Sequence, residues 1–353
     1  KATSKNLLFK QTDFKVQISN FNFFIDLLNI NRSDQNIKFL NSNFYYLDKN
    51  NDVLFINNLK RLDYFYQENF LQKLNSKFDV FNIPFNLYIK NNFVQNKFYV
   101  ETKSHPLRLN IKNESSYNDK MLNGEIDLTI INKNKKVNYT LKENLLSFNS
   151  EDKKLSGNIN IIPFYLSTNL KLYQVNLKSI FKENSILVNI LKSEFLNNEN
   201  LSGKISFKVN NFKGASYLDE TNFDIVFENG DILIQNLSTN FKKSLIVNLN
   251  DTQVFVDDNK LKFAGYINLN FLNLDNIYRH YQVNKTNREK FKKISFGFLF
   301  NLDESFITID NLEIDGKANQ NLDRFLNDFN FKKDNFFNKV IRRNLVKNFF
   351  KNF

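Results

Sequence analysis

The sequence has no cysteine and no tryptophan, and its 353 residues include only 8 glycines and 3 prolines. Without cysteine the chain has no disulfide, no thiolate metal ligand and no cysteine nucleophile. The few glycines form no phosphate-binding loop. The nearest approach to a membrane-spanning run, Phe21 to Ile30, is interrupted by Asn22 and Asp26, whereas a spanning helix needs ~18 apolar residues. These absences exclude thiol chemistry, phosphate-loop nucleotide binding and a helical membrane span within this sequence.

The charge is unbalanced, with 49 Lys and Arg against 37 Asp and Glu and a formal net charge of +12. A basic balance of this kind suggests nucleic-acid binding. The lysines, however, occur singly or in turns such as Asn132 to Lys136, and they do not form one stripe interleaved with aromatic residues. AT-rich codon usage also raises the content of Lys, Asn, Ile and Phe without a functional cause. We therefore predict no nucleic-acid partner.

Candidates for metal binding or nucleophilic catalysis are few. His105 precedes Pro106, and His280 lies in a helical pattern, without recognisable partners for a metal site or a catalytic triad. The segment Ser150 to Lys153 matches S-x-x-K, but in a lysine-rich chain it predicts a turn.

Paired carboxylates occur at Asp257-Asp258 and Asp303-Glu304. Both pairs lie in turn-like segments, and no Gly-centred calcium loop surrounds them. Solvated turns explain them better than acid-base chemistry. We predict that the protein is not an enzyme and that it has no metal site and no cofactor.

Apolar and polar residues alternate along most of the chain, which predicts strands with one apolar and one solvated face. Between Lys154 and Leu172 the alternation slips by one position at Ile162-Pro163. Asn229-Gly230 predicts a two-residue hairpin turn, and pairs of Asn and Asp predict others. Similar alternating runs begin at Leu122, Val137, Ile205, Phe223, Leu245, Ile267, Ile294 and Ile307. The pattern predicts about fifteen short antiparallel strands in meander order.

Helical periodicity is confined to four segments. Three of them are Leu177 to Phe195, Leu274 to Tyr281 and Leu322 to Phe329. The fourth is the tail from Phe336 to Phe353, which begins amphipathically. We expect the tail to contact a membrane surface or to cap one end of the sheet, and an ordinary packed helix is the alternative. The candidate membrane-contacting residues are Phe336, Phe337, Ile341, Arg342 and Arg343.

A sheet this long must cover its apolar side with a second sheet, with helices, by closure, or with a ligand. The helices are too few for fifteen strands, and a β-sandwich remains an alternative. We predict a mainly β fold: a long curved antiparallel β-sheet that forms an open hydrophobic groove, with a few short helices and a C-terminal amphipathic helix. The predicted organisation is a continuous body at 1–330 and a helical tail at 331–353.

The candidate residues of the groove are apolar positions of the alternating runs, and ordinary core packing is the alternative for each. They are Ile126, Leu128, Ile130, Ile159, Ile161, Phe207, Ile225, Ile267, Leu269, Phe296 and Phe298.

Several segments resemble the AsmA-like proteins of Gram-negative bacteria, a family related to TamB-like proteins and to the bridge-like lipid carriers. They are FNIPF (Phe81 to Phe85), the run Leu122 to Asp152, GNINIIPFYLSTNLKL (Gly157 to Leu172) and the run Ile186 to Val209. The segments Phe227 to Leu237, Phe263 to Val283 and Ile294 to Gly316 resemble the AsmA C-terminal region. The resemblance covers roughly Phe81 to Phe329 and consists of strand and turn patterns.

The resemblance implies a periplasmic protein that is anchored to the inner membrane by an N-terminal helix and carries phospholipid acyl chains toward the outer membrane. This sequence begins at Lys1 and lacks such a helix, so we expect a longer protein. Outer-membrane assembly proteins are the further expected partners. Two alternatives remain open. One is an assembly factor or chaperone that binds outer-membrane β-barrel proteins by edge pairing. The other is a binding module for an anionic polymer such as lipopolysaccharide.

Overall fold

The computed structural model describes residues 6–17, 36–47, 51, 53–67, 70–80, 82–118, 121–130, 133–161, 163–176, 185–192, 194–197, 201–213, 217–328, 331–332 and 339–353. This part of the chain is mainly β with a few short helices, which confirms the predicted fold class. It contains 22 strands, more than the number predicted. Two compact units are present: unit 1 comprises Lys1–Thr168 and Asn200–Gly203, and unit 2 comprises Asn169–Glu199 and Lys204–Phe353.

Unit 1 contains a succession of antiparallel strands that each pair with the next strand in sequence, from β3 to β12. The first strands are β1 (Asn6–Lys10), β2 (Asp13–Gln17), β3 (Asn36–Leu47), β4 (Val53–Gln67), β5 (Leu71–Val80) and β6 (Ile83–Asn92). They are followed by β7 (Lys97–Ser104), β8 (Leu109–Asn118), β9 (Met121–Ile130), β10 (Lys133–Lys142), β11 (Leu145–Ser150) and β12 (Leu155–Asn160). The predicted slip at Ile162-Pro163 falls between β12 and β13 (Tyr165–Val175), and Ile162 lies outside the described residues.

The first two strands depart from the predicted antiparallel meander, because β1 and β2 both pair in parallel with β3. A bend at Gln11, where φ is 50°, separates them. Its backbone is hydrogen-bonded, since the Gln11 N–H donates to the Leu40 carbonyl at 3.0 Å and the Asn43 N–H donates to the Thr12 carbonyl at 3.0 Å. Alternation predicts which face a residue occupies, but it does not determine the direction of the neighbouring strand.

Unit 2 contains an antiparallel succession from β15 to β20 and four α-helices among its described residues. After β14 (Ser202–Phe212) the strands are β15 (Leu218–Glu228), β16 (Asp231–Phe241), β17 (Leu245–Asp257), β18 (Lys260–Phe271), β19 (Lys293–Asn301), β20 (Phe306–Ile314), β21 (Lys317–Ala318) and β22 (Phe331–Lys332). The helices are α1 (Ile186–Lys192), α2 (Leu274–Tyr281), α3 (Gln320–Asp328) and α4 (Lys339–Lys351), with short 3₁₀ turns at Phe195–Asn197 and Lys285–Asn287. No described helix has the length and hydrophobicity that crossing a membrane requires.

The predicted helix at Leu274 to Tyr281 is confirmed with the same bounds. Asn273 caps its N-terminus by accepting a hydrogen bond from the Asn276 N–H at 3.0 Å, and Gln282 ends it in the left-handed conformation. The predicted hairpin at Asn229-Gly230 is also confirmed, with φ of 53° and 85°. Of the long segment predicted from Leu177 to Phe195, helix α1 covers only Ile186–Lys192, and residues 177–184 lie outside the described part.

Three clusters of buried hydrophobic residues lie in unit 2, and two of them are covered by helices. The first joins Tyr278 of α2, Leu322 and Leu326 of α3 and Phe350 of α4 to strands β19 and β20. In the second, Val188 and Leu191 of α1 pack on Phe227, Ile232, Val254, Leu261, Phe263 and Leu302. The third consists of Val175, Val209 and Phe212. Helices therefore supply much of the cover for the apolar side of this sheet.

Candidate functional site

Strand register places a continuous row of side chains across seven strands of unit 1. The row crosses β4 to β10 and consists of Tyr64, Leu74, Ile89, Val100, Asn113, Ile126 and Val137. Direct cross-strand neighbours have Cβ atoms about 5 Å apart, so adjacent members are within contact range. Apart from Asn113, the row presents aliphatic or aromatic surface.

Two further rows lie on the same face, because their residues are an even number of positions away on the shared strands. One consists of Leu62, Ser76, Leu87, Thr102, Ile111 and Leu128. The other crosses β9 to β12 and consists of Leu122, Leu141, Leu146 and Ile159. We call the surface formed by these three rows the apolar face of unit 1.

Four phenylalanines extend the apolar face of unit 1 at the strands nearest the N-terminus. Phe9 stacks on Phe39 with ring centroids 4.9 Å apart, and Phe14 stacks on Phe44 at 4.9 Å. Phe14 also meets Phe39 edge-on at 5.3 Å. Sequence reasoning missed these residues because it did not pair the first strands with the third. Their signal was the equal five-residue spacing of Phe9 and Phe14 and of Phe39 and Phe44.

Nothing among the described elements of unit 1 covers its apolar face. Among the described elements, each strand of unit 1 makes its main contacts with the strands that pair with it. The three clusters of buried hydrophobic residues belong to unit 2. A few hydrophobic residues of unit 1, such as Phe98 and Val137, are buried individually. Most members of the three rows are half-buried. The face therefore leaves apolar surface without a described protein partner.

The predicted groove residues of unit 1 lie on this face or at its margin. Ile126, Leu128 and Ile159 belong to the rows and are half-buried. Ile161 is half-buried in the turn after β12, where its N–H donates to the Asn144 carbonyl at 2.8 Å. Ile130 ends β9, and its side chain lies outside the described part.

Most of the predicted groove residues of unit 2 have neighbours in its buried clusters. Ile225 and Phe298 pack against the cluster covered by α1, and Leu269 and Phe296 pack against the cluster covered by α2, α3 and α4. Phe207 stacks on Phe223 with a centroid distance of 4.7 Å. Ile267 is half-buried on β18, opposite Leu249 and Phe296. Helical cover thus distinguishes these positions from those of unit 1.

The opposite face of the unit 1 sheet is polar. Ion pairs cross its strands, including Lys136 with Glu125 and Lys60 with Asp79, both at 2.8 Å. A cleft of about 810 Å³ on this face is lined by Lys90, Tyr99, Glu114, Glu125 and Asn138, among others. Burial, with a further contribution from nearby carboxylates, raises the pKa of Tyr99. The two faces therefore differ sharply in chemistry.

A few polar atoms on the apolar face of unit 1 are buried and, within the part of the chain that is described, have no hydrogen-bond partner. They include the Ser104 Oγ and the Asn113 Oδ1. A buried polar atom without a partner costs about 1 to 3 kcal/mol. Such atoms commonly mark a position where water or a ligand completes the hydrogen bonding.

The segments considered for catalysis form turns. The Ser150 Oγ accepts from the Leu155 N–H at 2.9 Å and donates to Asp152 Oδ1 at 2.7 Å. That hydrogen bond, together with Lys154 and Lys135, holds the pKa of Asp152 well below its ordinary value. His105 lies in an exposed turn. Among the described residues, no group of His, Asp and Glu side chains could hold a metal ion.

The predicted membrane-contacting residues are partly described. The Arg342 guanidinium lies 4.2 Å from the centre of the Tyr217 ring, and it also donates to the Tyr217 hydroxyl. The Arg343 Nη1 donates to Gln282 Oε1 at 3.4 Å, and Ile341 is half-buried. Phe336 and Phe337 lie outside the described residues. Helix α4 confirms a C-terminal helix and continues to Lys351, beyond the cleanly amphipathic part of its pattern.

The comparisons with known proteins add no relative. No protein family model, no curated protein and no solved structure matches this chain.

Proposed function

We propose that the apolar face of unit 1 binds the acyl chains of phospholipid and that the protein is a non-enzymatic lipid carrier. The observation that carries this proposal is the row from Tyr64 to Val137, which crosses seven strands and is covered by no described element of unit 1. In unit 2, helices cover comparable apolar positions. Apolar surface of this extent on a soluble protein commonly marks a binding site.

The hydrophobic effect supplies enough free energy for such binding. Each CH₂ group removed from water contributes about 0.8 kcal/mol, so a chain of ~16 carbons gains on the order of 12 kcal/mol before ordering costs. The strands are about 4.8 Å apart, so seven strands offer roughly 29 Å of continuous apolar surface across the sheet. An extended acyl chain of ~16 carbons is shorter than this surface, so the surface can accommodate the whole chain. The polar headgroup remains in solvent beside the rows.

The resemblance to AsmA-like proteins supports a proposal for where in the cell this lipid transport takes place. We infer a periplasmic protein that is anchored to the inner membrane by a segment outside this sequence and delivers phospholipid toward the outer membrane. Ile126, Leu128, Ile130, Ile159 and Ile161 are the proposed lipid contacts of unit 1.

A double substitution on the apolar face of unit 1 tests whether this face binds phospholipid acyl chains. Ile126→Asp with Ile159→Asp places two carboxylates in the acyl path, and an unpaired charge in an apolar environment costs several kcal/mol. Because both side chains are half-buried on a face that no described element of unit 1 covers, the carboxylates should retain access to water and the fold should survive. Mass spectrometry of lipids that co-purify with the protein should detect phospholipid on the wild type and several-fold less on the variant.

The matched control carries the same charges on the polar face of the same sheet. Asn149→Asp with Asn158→Asp changes two exposed positions on β11 and β12, and it should leave both the melting temperature and the bound lipid unchanged. A wild-type protein without co-purifying lipid would refute the proposal. Unfolding of the Ile126→Asp, Ile159→Asp variant would assign these positions to a packed core.

A second candidate function is edge pairing with outer-membrane β-barrel proteins. Within the described part of the chain, β1 and β2 pair only with β3, which leaves the backbone groups of their other edge available for an added strand. Exposed Leu7 and Leu8 lie on this edge strand. Replacing Leu8 by Pro, which removes a backbone donor, should abolish pairing with a barrel-strand peptide but leave lipid binding intact.

A further inference from the structure

Four segments of unit 2 meet near the end of α2. Lys242, in the turn between β16 and β17, places its Nζ 3.3 Å from the Nδ1 of His280 on α2. The His280 ring contacts Phe241 edge-on at 5.4 Å, and Phe241 contacts Tyr217 at 5.3 Å. Helix α4 joins them through Arg342, which lies over the Tyr217 ring. The turn that contains Lys242 and the helix that contains Arg342 are therefore joined through the same group of aromatic side chains.

Four positive charges in this region have no carboxylate within ion-pair distance among the described residues: Lys242, Lys243, Arg343 and Lys347. We call these four residues the basic face. Some other lysines of unit 2 form ion pairs, for example Lys204 with Asp224 at 2.9 Å and Lys208 with Glu220 at 2.7 Å.

Helix α4 adds further positive charge to this region. The helix contains five basic residues and no acidic one: Lys339, Arg342, Arg343, Lys347 and Lys351. Arg343 and Lys347 are four positions apart, a spacing at which like charges repel and destabilise a helix. Phe350 is buried in the first cluster, so α4 is held by packing. Because Arg343 and Lys347 repel each other and neither has a carboxylate within ion-pair distance among the described residues, this side of α4 is suited to an anionic partner.

Exposed apolar side chains border the basic face. Leu272 is 61% exposed, and its N–H donates to the Ser244 carbonyl at 2.9 Å, directly beside the turn that contains Lys242 and Lys243. Val340 is 55% exposed one turn before Arg343 on α4. In the interface of a bilayer, headgroup phosphates lie next to hydrocarbon. Lysine and arginine can bind the phosphates, and the exposed aliphatic side chains can contact the hydrocarbon. A nucleic acid offers phosphates without that hydrocarbon.

We propose that the basic face docks unit 2 on a bilayer that contains anionic phospholipid, with Leu272 and Val340 inserted among the headgroups. This docking is independent of acyl binding on the apolar face of unit 1. Each basic residue near an anionic membrane surface contributes about fivefold to the partition coefficient, and the contribution decreases with added salt.

Vesicle co-sedimentation of the whole chain tests the docking. The wild type should bind vesicles of phosphatidylcholine that contain roughly one third phosphatidylglycerol, and it should not bind vesicles of phosphatidylcholine alone. High salt should release the protein from the anionic vesicles. Lys242→Gln with Lys243→Gln removes two charges and should lower partitioning about 25-fold. Arg343→Gln with Lys347→Gln should act similarly. The control Lys171→Gln with Lys213→Gln removes two charges from exposed positions of unit 2 outside the basic face and should lower partitioning less than twofold.

Three outcomes would overturn the docking proposal: equal binding to neutral vesicles, an equal loss in the control, or no vesicle binding by the wild type. Tighter binding to a single-stranded DNA oligonucleotide than to the anionic vesicles would replace it with a general polyanion site. Circular dichroism of each variant verifies the fold. Lipid that co-purifies with the protein should be unaffected by the Gln substitutions, so failure of docking and failure of acyl carriage remain distinguishable.

Discussion

Lys192, at the C-terminal end of α1, forms an ion pair with Asp303 in the turn that joins β19 to β20. The second carboxylate oxygen of Asp303 accepts the Leu261 N–H at 2.8 Å, and Leu261 is fully buried. Burial tends to raise the pKa of Asp303, but the hydrogen bonds from Lys192 and Leu261 outweigh it and hold the pKa below its ordinary value. One carboxylate thus joins the helix that covers the second cluster to two strand ends.

Asp303→Asn should reduce the free energy of unfolding near pH 7 by about 1 to 3 kcal/mol, because it removes a charge-assisted interaction. Since the folded pKa is depressed, the native carboxylate stabilises the fold above its unfolded pKa of about 4, and this stabilisation is lost as pH falls through the folded pKa. Urea unfolding of wild type and variant should therefore converge in acid. Glu304→Gln, which alters an exposed pair with Lys260, should leave the free energy of unfolding nearly unchanged, because exposed ion pairs contribute little. A difference between wild type and Asp303→Asn that does not depend on pH would contradict the ion-pair account.

Leu322→Ala and Leu128→Ala compare a helix-covered apolar position with one that no described element of unit 1 covers. Leu322 of α3 is fully buried in the first cluster, so its truncation leaves a cavity and should cost about 2 to 5 kcal/mol. Leu128 is half-buried on the apolar face of unit 1, and its truncation should cost about 1 kcal/mol or less because little surrounding protein loses contacts. Urea unfolding measures both values. Equal losses would indicate that the unit 1 face is packed like a core.

Gly157→Ala and Gly124→Ala test how closely neighbouring strands approach. A Cβ at position 157 would lie 2.2 Å from the Ser167 carbonyl oxygen, which is backbone, whereas a Cβ at position 124 would lie 2.4 Å from the Tyr139 ring, which can rotate away. Gly157→Ala should therefore lower the stability by about 1 to 3 kcal/mol and Gly124→Ala by less. Thermal unfolding decides between them, and the reverse order would show that the sheet yields more easily than the aromatic ring.

Phe350→Ala and Phe353→Ala test the attachment of α4. Phe350 is buried and meets the Tyr278 ring edge-on at 5.0 Å, whereas Phe353 is 36% exposed. Truncating Phe350 should cost about 3 kcal/mol or more and increase amide exchange in α4. Truncating Phe353 should cost about 1 kcal/mol or less. Unchanged exchange in Phe350→Ala would indicate that Arg342 and its contact with Tyr217 suffice to hold the helix.

Local signals predicted the helix at Leu274–Tyr281 and the turn at Asn229-Gly230, because each depends on a few neighbouring residues. The parallel pairing of β1 with β3 was not predictable in this way, since both strand directions satisfy the same alternation. Of the helical segment predicted from Leu177 to Phe195, the described helix α1 covers Ile186–Lys192, and residues 177–184 lie outside the described part.

Alternation also failed to distinguish which apolar faces are covered. Ile225 and Ile126 occupy equivalent positions in similar runs, yet Ile225 borders a cluster that α1 covers, and Ile126 lies on a face that no described element of unit 1 covers. That difference depends on where a helix from a distant part of the sequence packs. Periodicity therefore identifies candidate surfaces, and tertiary packing determines which of them remain available to a ligand.

The pairing of each strand with its sequence neighbour from β3 to β12 has a consequence for how unit 1 folds. Such contacts connect residues that are close in the chain, so each hairpin closes a short loop. Closing a short loop loses little conformational entropy before the hydrogen bonds of the hairpin form. We expect these hairpins to form one after another as the polypeptide emerges during synthesis. The parallel strands β1 and β2 are the exception, because they must close a longer loop to reach β3. In stopped-flow refolding, a probe at Phe9 should therefore report a slower phase than a probe at Tyr139.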